Sequence, residues 1–327
     1  MRARPSAAWG AVGLACVALA LVALWIAWRF SSDMDQARAR VSRGSMLVDT
    51  RCGPIEYQEA GTGVPLPAVH GSGGGHDQAM AFAGALAHHG VRVIAMSRFG
   101  YLRTPMPADS SAAAQADAHV CLLDALRIHQ AAVLGGSAGA PSALQMAIRH
   151  PDRVNALILL VPLTYKPAAV ADSAAPMPAW LEDTMMRLVG SDFLFWAATH
   201  VARAQMIKMV LATPPELLAT ASLQERARVN VMLDDILPVS RRAEGLRNDT
   251  AAGKHLAPAS LESIRARTLV ISVLDDRYGT YASARYTASR IAGAKFVGFD
   301  HGGHTWVGHD DEVMSEIARL LSPRVLP

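Results

Sequence analysis

The chain has 327 residues, of which 51% are hydrophobic and only 18% charged, with 31 Lys and Arg against 28 Asp and Glu. So many apolar residues and so few charges exclude an intrinsically disordered chain, and the composition lacks the Ala, Glu, Lys, Leu and Arg richness of a coiled coil. The formal net charge of +3, with no basic run to track a phosphate backbone, excludes nucleic acid as the main partner.

The apolar excess is concentrated first in residues 7–28, which carry no charge. About 20 helical residues cross a bilayer core of roughly 30 Å. Arg2 and Arg4 precede the run and Arg29 closes it, while Trp9, Trp25 and Trp28 lie near its ends, where indole rings favour the headgroup boundary. A cleaved signal peptide has a shorter apolar stretch and a small-residue cleavage site; here bulky Trp25-Ile26-Ala27-Trp28 stands in that place. A lipoprotein would use Cys16, but Gly13-Leu14-Ala15 matches such a site poorly and the apolar run continues past it. The expectation is an uncleaved, single-pass N-terminal transmembrane helix over 1–30. Arg2 and Arg4 on one side compete with Arg29, Arg38, Arg40 and Arg43 on the other, which leaves its orientation open.

Residues 31–45 are polar and Arg-rich and read as a linker. Short strands follow at 46–48 and 55–57, a pair suggesting an antiparallel edge, and then a strand at 65–70 that ends in glycines. Helical spacing covers 78–88, 112–127 and 138–149, alternating with apolar strands at 91–96, 131–134 and 154–161. The rhythm resumes with a strand at 268–274, a helix at 282–291, a strand at 295–299 and a helix at 311–321. Such alternation implies βαβ units and a mostly parallel sheet with helices on both faces. The core is therefore expected over 46–164 and 256–327. Residues 165–255 form a helical cap insertion bearing Met177, Met185, Met186, Met206, Met209 and Met232 with Trp180, Phe193, Phe195 and Trp196. Three cysteines, Cys16, Cys52 and Cys121, without C-x-x-C spacing, predict neither a disulfide framework nor a zinc site.

Gly135-Gly136-Ser137-Ala138-Gly139 lies between a strand and a helix. A serine on so sharp a turn needs glycines around it, because side chains two residues to either side would collide. Its hydroxyl is presented beside a helix N-terminus suited to an oxyanion. A serine needs a base oriented by an acid. Asp275-Asp276 ends the strand at 268–274, and Asp300-His301-Gly302-Gly303-His304 follows the next strand. A zinc site built from His301, His304 and His309 explains only the histidines, whereas a serine triad explains them together with Ser137 and Asp276. No metal and no cofactor are expected. His88, His89, His119, His129, His150, His200 and His255 fall on predicted helices or their ends, where surface roles are expected.

Together these motifs resemble the α/β-hydrolase family. To the serine turn, the acid and the histidine are added His70-Gly71-Ser72-Gly73-Gly74-Gly75, similar to the family's oxyanion loop, and Ser97-Arg98-Phe99-Gly100-Tyr101, similar to its S-R-x-G-Y loop. The resemblance implies an α/β-hydrolase fold with 165–255 as lid. It implies Ser137 as nucleophile, His304 as general base and Asp276 as the orienting acid, with oxyanion donors on the backbone of Ser72 and Ala138. Asp275 competes with Asp276, and His301 and His309 with His304. His70 is expected to shape its loop, and Arg98 to contact substrate or form a structural ion pair.

The expected activity is hydrolysis of an ester or related acyl bond in a small apolar substrate by a membrane-anchored enzyme. A cofactor-free perhydrolase or carbon–carbon bond hydrolase, and a non-catalytic binding protein on the same fold, are the alternatives.

Overall fold

The computed structural model describes residues 7–167, 180, 186–187 and 190–322. Eight strands form one sheet: β1 (Ser45–Thr50), β2 (Gly53–Ala60), β3 (Val64–Val69), β4 (Val91–Met96), β5 (Ala131–Gly136), β6 (Val154–Leu160), β7 (Arg267–Val273) and β8 (Lys295–Phe299). Their order is β1-β2-β4-β3-β5-β6-β7-β8. β1 and β2 pair antiparallel, as do β2 and β4, and every later pairing is parallel. Every strand expected from the apolar runs is present, with the antiparallel pair at one edge.

The inner strands are apolar on both faces because both faces are covered. Along β5, Ala131 and Val133 point into one core cluster, Ala132 and Leu134 into the other. The first cluster is closed by α3 (Ala112–Ala125), α4 (Ala140–Arg149) and α10 (Thr280–Arg290), through residues such as Leu122, Leu123, Met146 and Ala284. The second is closed by α2 (His76–Ala83), the short 3-10 helix Gly84–His89, and α11 (Asp310–Leu321), through Phe82, Leu86, Val313 and Ile317.

Between β6 and β7 the chain leaves the sheet. Its described helices there are α5 (Asp192–Val201), α6 (Arg203–Val210), α7 (Glu216–Thr220), α8 (Leu223–Asp234) and α9 (Ala243–Gly253). Phe195, Trp196, Ile207, Val229, Met232 and Leu233 form a third cluster among them. Of the methionines that mark this insertion in the sequence, Met177 and Met185 lie outside the described residues; Met232 is buried and Met209 exposed.

Two expectations are corrected. The polar stretch 31–45 is not an open linker: a single helix α1 runs from Ala7 to Ser42. Its described apolar part is exposed to about Arg29, and its last turns dock on the insertion through Met34 and Ala37, while buried Val41 faces α2, where its carbonyl accepts from His76 Nε2 at 3.1 Å. Those residues recur at helical spacing on one face, with the charges on the others. Arg40 reaches Asp235 at 2.9 Å, and Asp33 accepts from Trp196 Nε1 at 2.9 Å. The second correction concerns Cys52 and Cys121, 69 residues apart, which form a disulfide tying the β1–β2 turn to α3.

Candidate active site at the C-terminal edge of the sheet

Ser137 follows β5 directly and precedes α4, with φ +47°, a region costly for a residue with a side chain. The flanking glycines are sterically required. A Cβ on Gly135 would stand 2.7 Å from Ala143 Cβ, and one on Gly139 would stand 2.5 Å from the Val69 carbonyl oxygen. The α4 N-terminus, with Pro141 in its first turn, lies immediately beyond.

The glycine loop after β3 packs against this turn: a Cβ on Gly71 would be 3.0 Å from Ser137 Cβ. Three amides of that loop are already engaged. Gly71 N–H donates to Gln78 Oε1 at 2.9 Å, Gly73 N–H to the Tyr101 hydroxyl at 3.2 Å, and Gly74 N–H to the Gly71 carbonyl at 3.3 Å. Among the described residues, the Ser72 N–H has no acceptor. His70 holds the loop from beneath. Its Nε2 accepts from the Arg98 amide at 3.0 Å, so Nδ1 carries the proton and donates to the Gly71 carbonyl at 2.7 Å. Burial first, then the nearby Arg98 charge, push its pKa well below 6.5 and keep it neutral.

The acid and base come from the ends of the last two strands. Asp276 Oδ2 accepts from His304 Nδ1 at 2.9 Å, which leaves Nε2 as the basic nitrogen. Oδ1 accepts from the Tyr278 amide at 2.9 Å, and the Thr280 hydroxyl donates to Oδ2. Burial alone raises the Asp276 pKa; the charge and hydrogen bond of His304, with those from Thr280 and Tyr278, outweigh it and hold the carboxyl below 3.8. The His304 ring meets the edge of Tyr278 at 4.9 Å, and its amide donates to the Ala212 carbonyl at 3.4 Å.

The competitors are placed elsewhere. Asp275 accepts from the amides of Gly303 at 2.7 Å and Gly302 at 3.3 Å, so it grips the histidine loop and not the imidazole. The His301 side chain is 80% exposed. His309 stacks on Phe299 at 4.0 Å. Among the described residues no group of three or more His, Cys, Asp or Glu is arranged to hold a metal, and no hydrogen bond joins Ser137 Oγ to His304. Such bonds are often long in unliganded sites and tighten around substrate.

A buried group absent from the sequence expectations braces the site. Asp249 of α9 accepts from two Arg98 guanidinium N–H groups at 2.8 and 2.5 Å, from the Tyr101 hydroxyl at 2.6 Å and from the Ser72 hydroxyl at 2.9 Å. Of the two roles open to Arg98, the structural ion pair is the one formed, and it ties the insertion to the glycine loop. The signal was in the S-R-x-G-Y loop, since a buried Arg requires a counter-charge, but its partner lies 151 residues away. His119, expected at the surface, is fully buried and bonds the Ser142 hydroxyl at 3.0 Å; burial, then Arg98, lowers its pKa to about 3. A cavity of about 550 Å³ opens beside Ala138, walled by Phe99, Leu144, Leu163, Tyr165 and Leu256.

A sheet of this order, with a serine turn after β5 and an Asp–His pair at the ends of β7 and β8, defines an α/β hydrolase. The family described as alpha/beta hydrolase fold matches residues 65–307, and the chain belongs to it. The relatives it matches include named hydrolases. The 2-hydroxymuconate semialdehyde hydrolase of Pseudomonas putida is 38% identical over 105 residues, 31% of this chain and 37% of that protein. The chain thus spans little more than a third of the first curated relatives it matches. The 2-hydroxy-6-oxo-6-phenylhexa-2,4-dienoate hydrolase of Comamonas testosteroni is 28% identical over 68% of this chain and 75% of its own. Among solved structures, an alpha/beta hydrolase fold protein from Nakamurella multipartita superposes with a TM-score of 0.68 at 29% identity, covering 85% of this chain and 98% of that one.

Proposed function

We propose that this chain is a membrane-anchored serine hydrolase that cleaves an ester or related acyl bond in an apolar small molecule. The observation that carries the reading is the Asp276–His304 pair, at 2.9 Å, on the same sheet edge as Ser137. His304 Nε2 takes the proton of Ser137 Oγ as the oxygen attacks the carbonyl carbon. Asp276 stabilises the imidazolium that results, and the oxyanion is held by the N–H groups of Ser72 and Ala138. His304 then protonates the leaving group, and water activated by the same nitrogen clears the acyl-enzyme. The apolar walls of the cavity beside Ala138 support an acyl chain or aromatic ring as the bound part. No metal or cofactor enters this scheme.

Incubation with a fluorophosphonate probe is expected to label the protein stoichiometrically and Ser137→Ala not at all. Equal labelling of both, or of neither, overturns the reading. A second reading, hydrolysis of a carbon–carbon bond, is supported by the named activities of the Pseudomonas and Comamonas relatives. Turnover of p-nitrophenyl esters against vinylogous diketones separates the two.

Membrane attachment is supported by the apolar part of α1, which has no buried residue over its most hydropathic stretch and meets the insertion only near its end, at Ile26. The Cys52–Cys121 disulfide supports a catalytic domain on the oxidising side of that membrane.

A further inference from the structure

Helix α5 is apolar on both of its faces. Inward it buries Phe195, Trp196 and Thr199. Outward, Phe193 and Leu194 are 45% and 43% exposed, Ala197 and Ala198 are half-buried behind them, and Val201 is 88% exposed. Residues 193, 197 and 201 are spaced four apart, so the outer stripe is continuous, with exposed His200 at its edge. Apart from Asp192 at its start and His200 near its end, α5 is apolar on both faces, a pattern that belongs in a protein core or against lipid, and none of the described residues covers this stripe.

Its position relative to α1 says what does. Phe193 packs edge-on against Phe30 at 5.3 Å, Trp196 meets Phe30 at 5.5 Å and hydrogen-bonds Asp33, and His200 lies 3.7 Å from Asp33. From its first turn to its last, α5 therefore stays level with residues 30–33 of α1, an axial rise of only about 5 Å. The uncharged run ends at Trp28, about 3 Å further back along the same axis. α5 thus lies nearly crosswise to α1, at the height where the apolar run gives way to Arg29.

We infer that the outer face of α5, centred on Phe193 and Leu194, is a second membrane contact, seated in the interfacial layer of the bilayer that α1 crosses. This rests on the reading of α1 as a membrane span. The continuity of the stripe with Phe30 and Trp28 favours lipid over a protein partner: any occupant of α5 must share the space with whatever surrounds the exposed α1. Aromatic and aliphatic side chains of this kind bury a few ångströms into the headgroup boundary. The insertion that tops the active site is then held on the membrane surface, with substrates that partition into lipid concentrated beside it.

The test uses the full chain in phosphatidylcholine vesicles with an environment-sensitive dye on a single free thiol. The dye sits in turn on native Cys16, or, in a Cys16→Ser background, on Leu194→Cys, Val201→Cys or Met46→Cys, the last at an exposed position on β1. The expected result is strong quenching of the Leu194→Cys and Val201→Cys dyes by nitroxide-bearing lipids, with iodide quenching several-fold weaker than at Met46→Cys. If both α5 dyes are quenched by iodide as at Met46→Cys while the Cys16 dye is quenched by lipid, the span stands and this inference fails. Shielding of the α5 dyes from both quenchers overturns it in favour of a protein cover such as a second copy. A Cys16 dye beyond the reach of lipid quenchers overturns the span itself and the inference with it.

Discussion

Asp275 and Asp276 leave β7 side by side, and one residue of offset separates a carboxylate that holds an imidazole from one that holds two backbone amides. Replacing Asp276 by Asn puts an amide against His304 Nδ1 and favours the tautomer whose Nε2 carries the proton, which cannot act as a base. The expected outcome for Asp276→Asn is a fall in kcat of about 10⁴-fold with the fold retained. Asp275→Asn keeps an oxygen for the Gly303 amide, and its expected loss is about tenfold or less, carried by loop position. Steady-state kinetics of the two variants, beside circular dichroism, check this; equal losses would refute the assignment. The pair also has a pH signature. The Asp276 pKa is lowered in the folded protein, so its contribution to stability is in place above the ordinary value of about 4 and is lost as pH falls through the lower folded value. The strand end alone left the two aspartates open, because a strand boundary read from apolar residues is uncertain by a residue or two, and that is the whole distance between them.

At the scale of elements, the strands were legible because burial on both faces demands unbroken apolar runs, as in Ala156 to Leu160 of β6. The docked end of α1 was not. Met34, Ala37 and Val41 are three apolar residues among Asp33, Asp35, Arg38, Arg40 and Arg43, and only the insertion packed on Met34 and Ala37 and α2 beside Val41 reveal the stripe as a contact. Nor does any local pattern connect Arg98 to Asp249 or Cys52 to Cys121, since those pairings exist only once the chain is folded. The α1 contact also contains a titrating group. Burial, opposed by Arg40 and reinforced by Asp77, raises the Asp235 pKa to about 6. In the unfolded chain the same carboxyl ionises near 3.8. A raised carboxylate pKa means that the folded state takes up the proton first, so this group adds stability as pH falls from about 7 to about 4. The gain is bounded by about 3 kcal/mol for two pH units of separation. Melting of wild type and Asp235→Asn in detergent at pH 7.5 and pH 5 isolates it. Wild type is expected to gain on the variant at the lower pH, and parallel behaviour would remove Asp235 from the α1 contact's pH response.

For the whole molecule, the proposed span of α1 and the disulfide bear jointly on sidedness. Arginines flank the apolar run on both sides, and the orientation rule counts Lys and Arg even where folded partners such as Asp33, Asp35 and Asp235 later pair with them. Charge therefore does not decide which way the chain crosses. The disulfide supports one direction, because cytoplasmic thiols are kept reduced while those exported from the cytoplasm are oxidised. Cys52 and Cys121 belong to the α/β domain and Cys16 to the apolar part of α1. The domain is thus expected outside the cytoplasm, with the N-terminus inside. In bacterial cells expressing the full chain and lysed into denaturant with an alkylating reagent, Cys16 is expected to react at once and the other two only after reduction. Protease added to intact spheroplasts is expected to degrade the catalytic domain. Three thiols reactive without reduction, together with a domain protected until lysis, would place it in the cytoplasm. A domain held outside, with α5 against the outer leaflet face, would meet apolar esters arriving from the environment before they cross the bilayer.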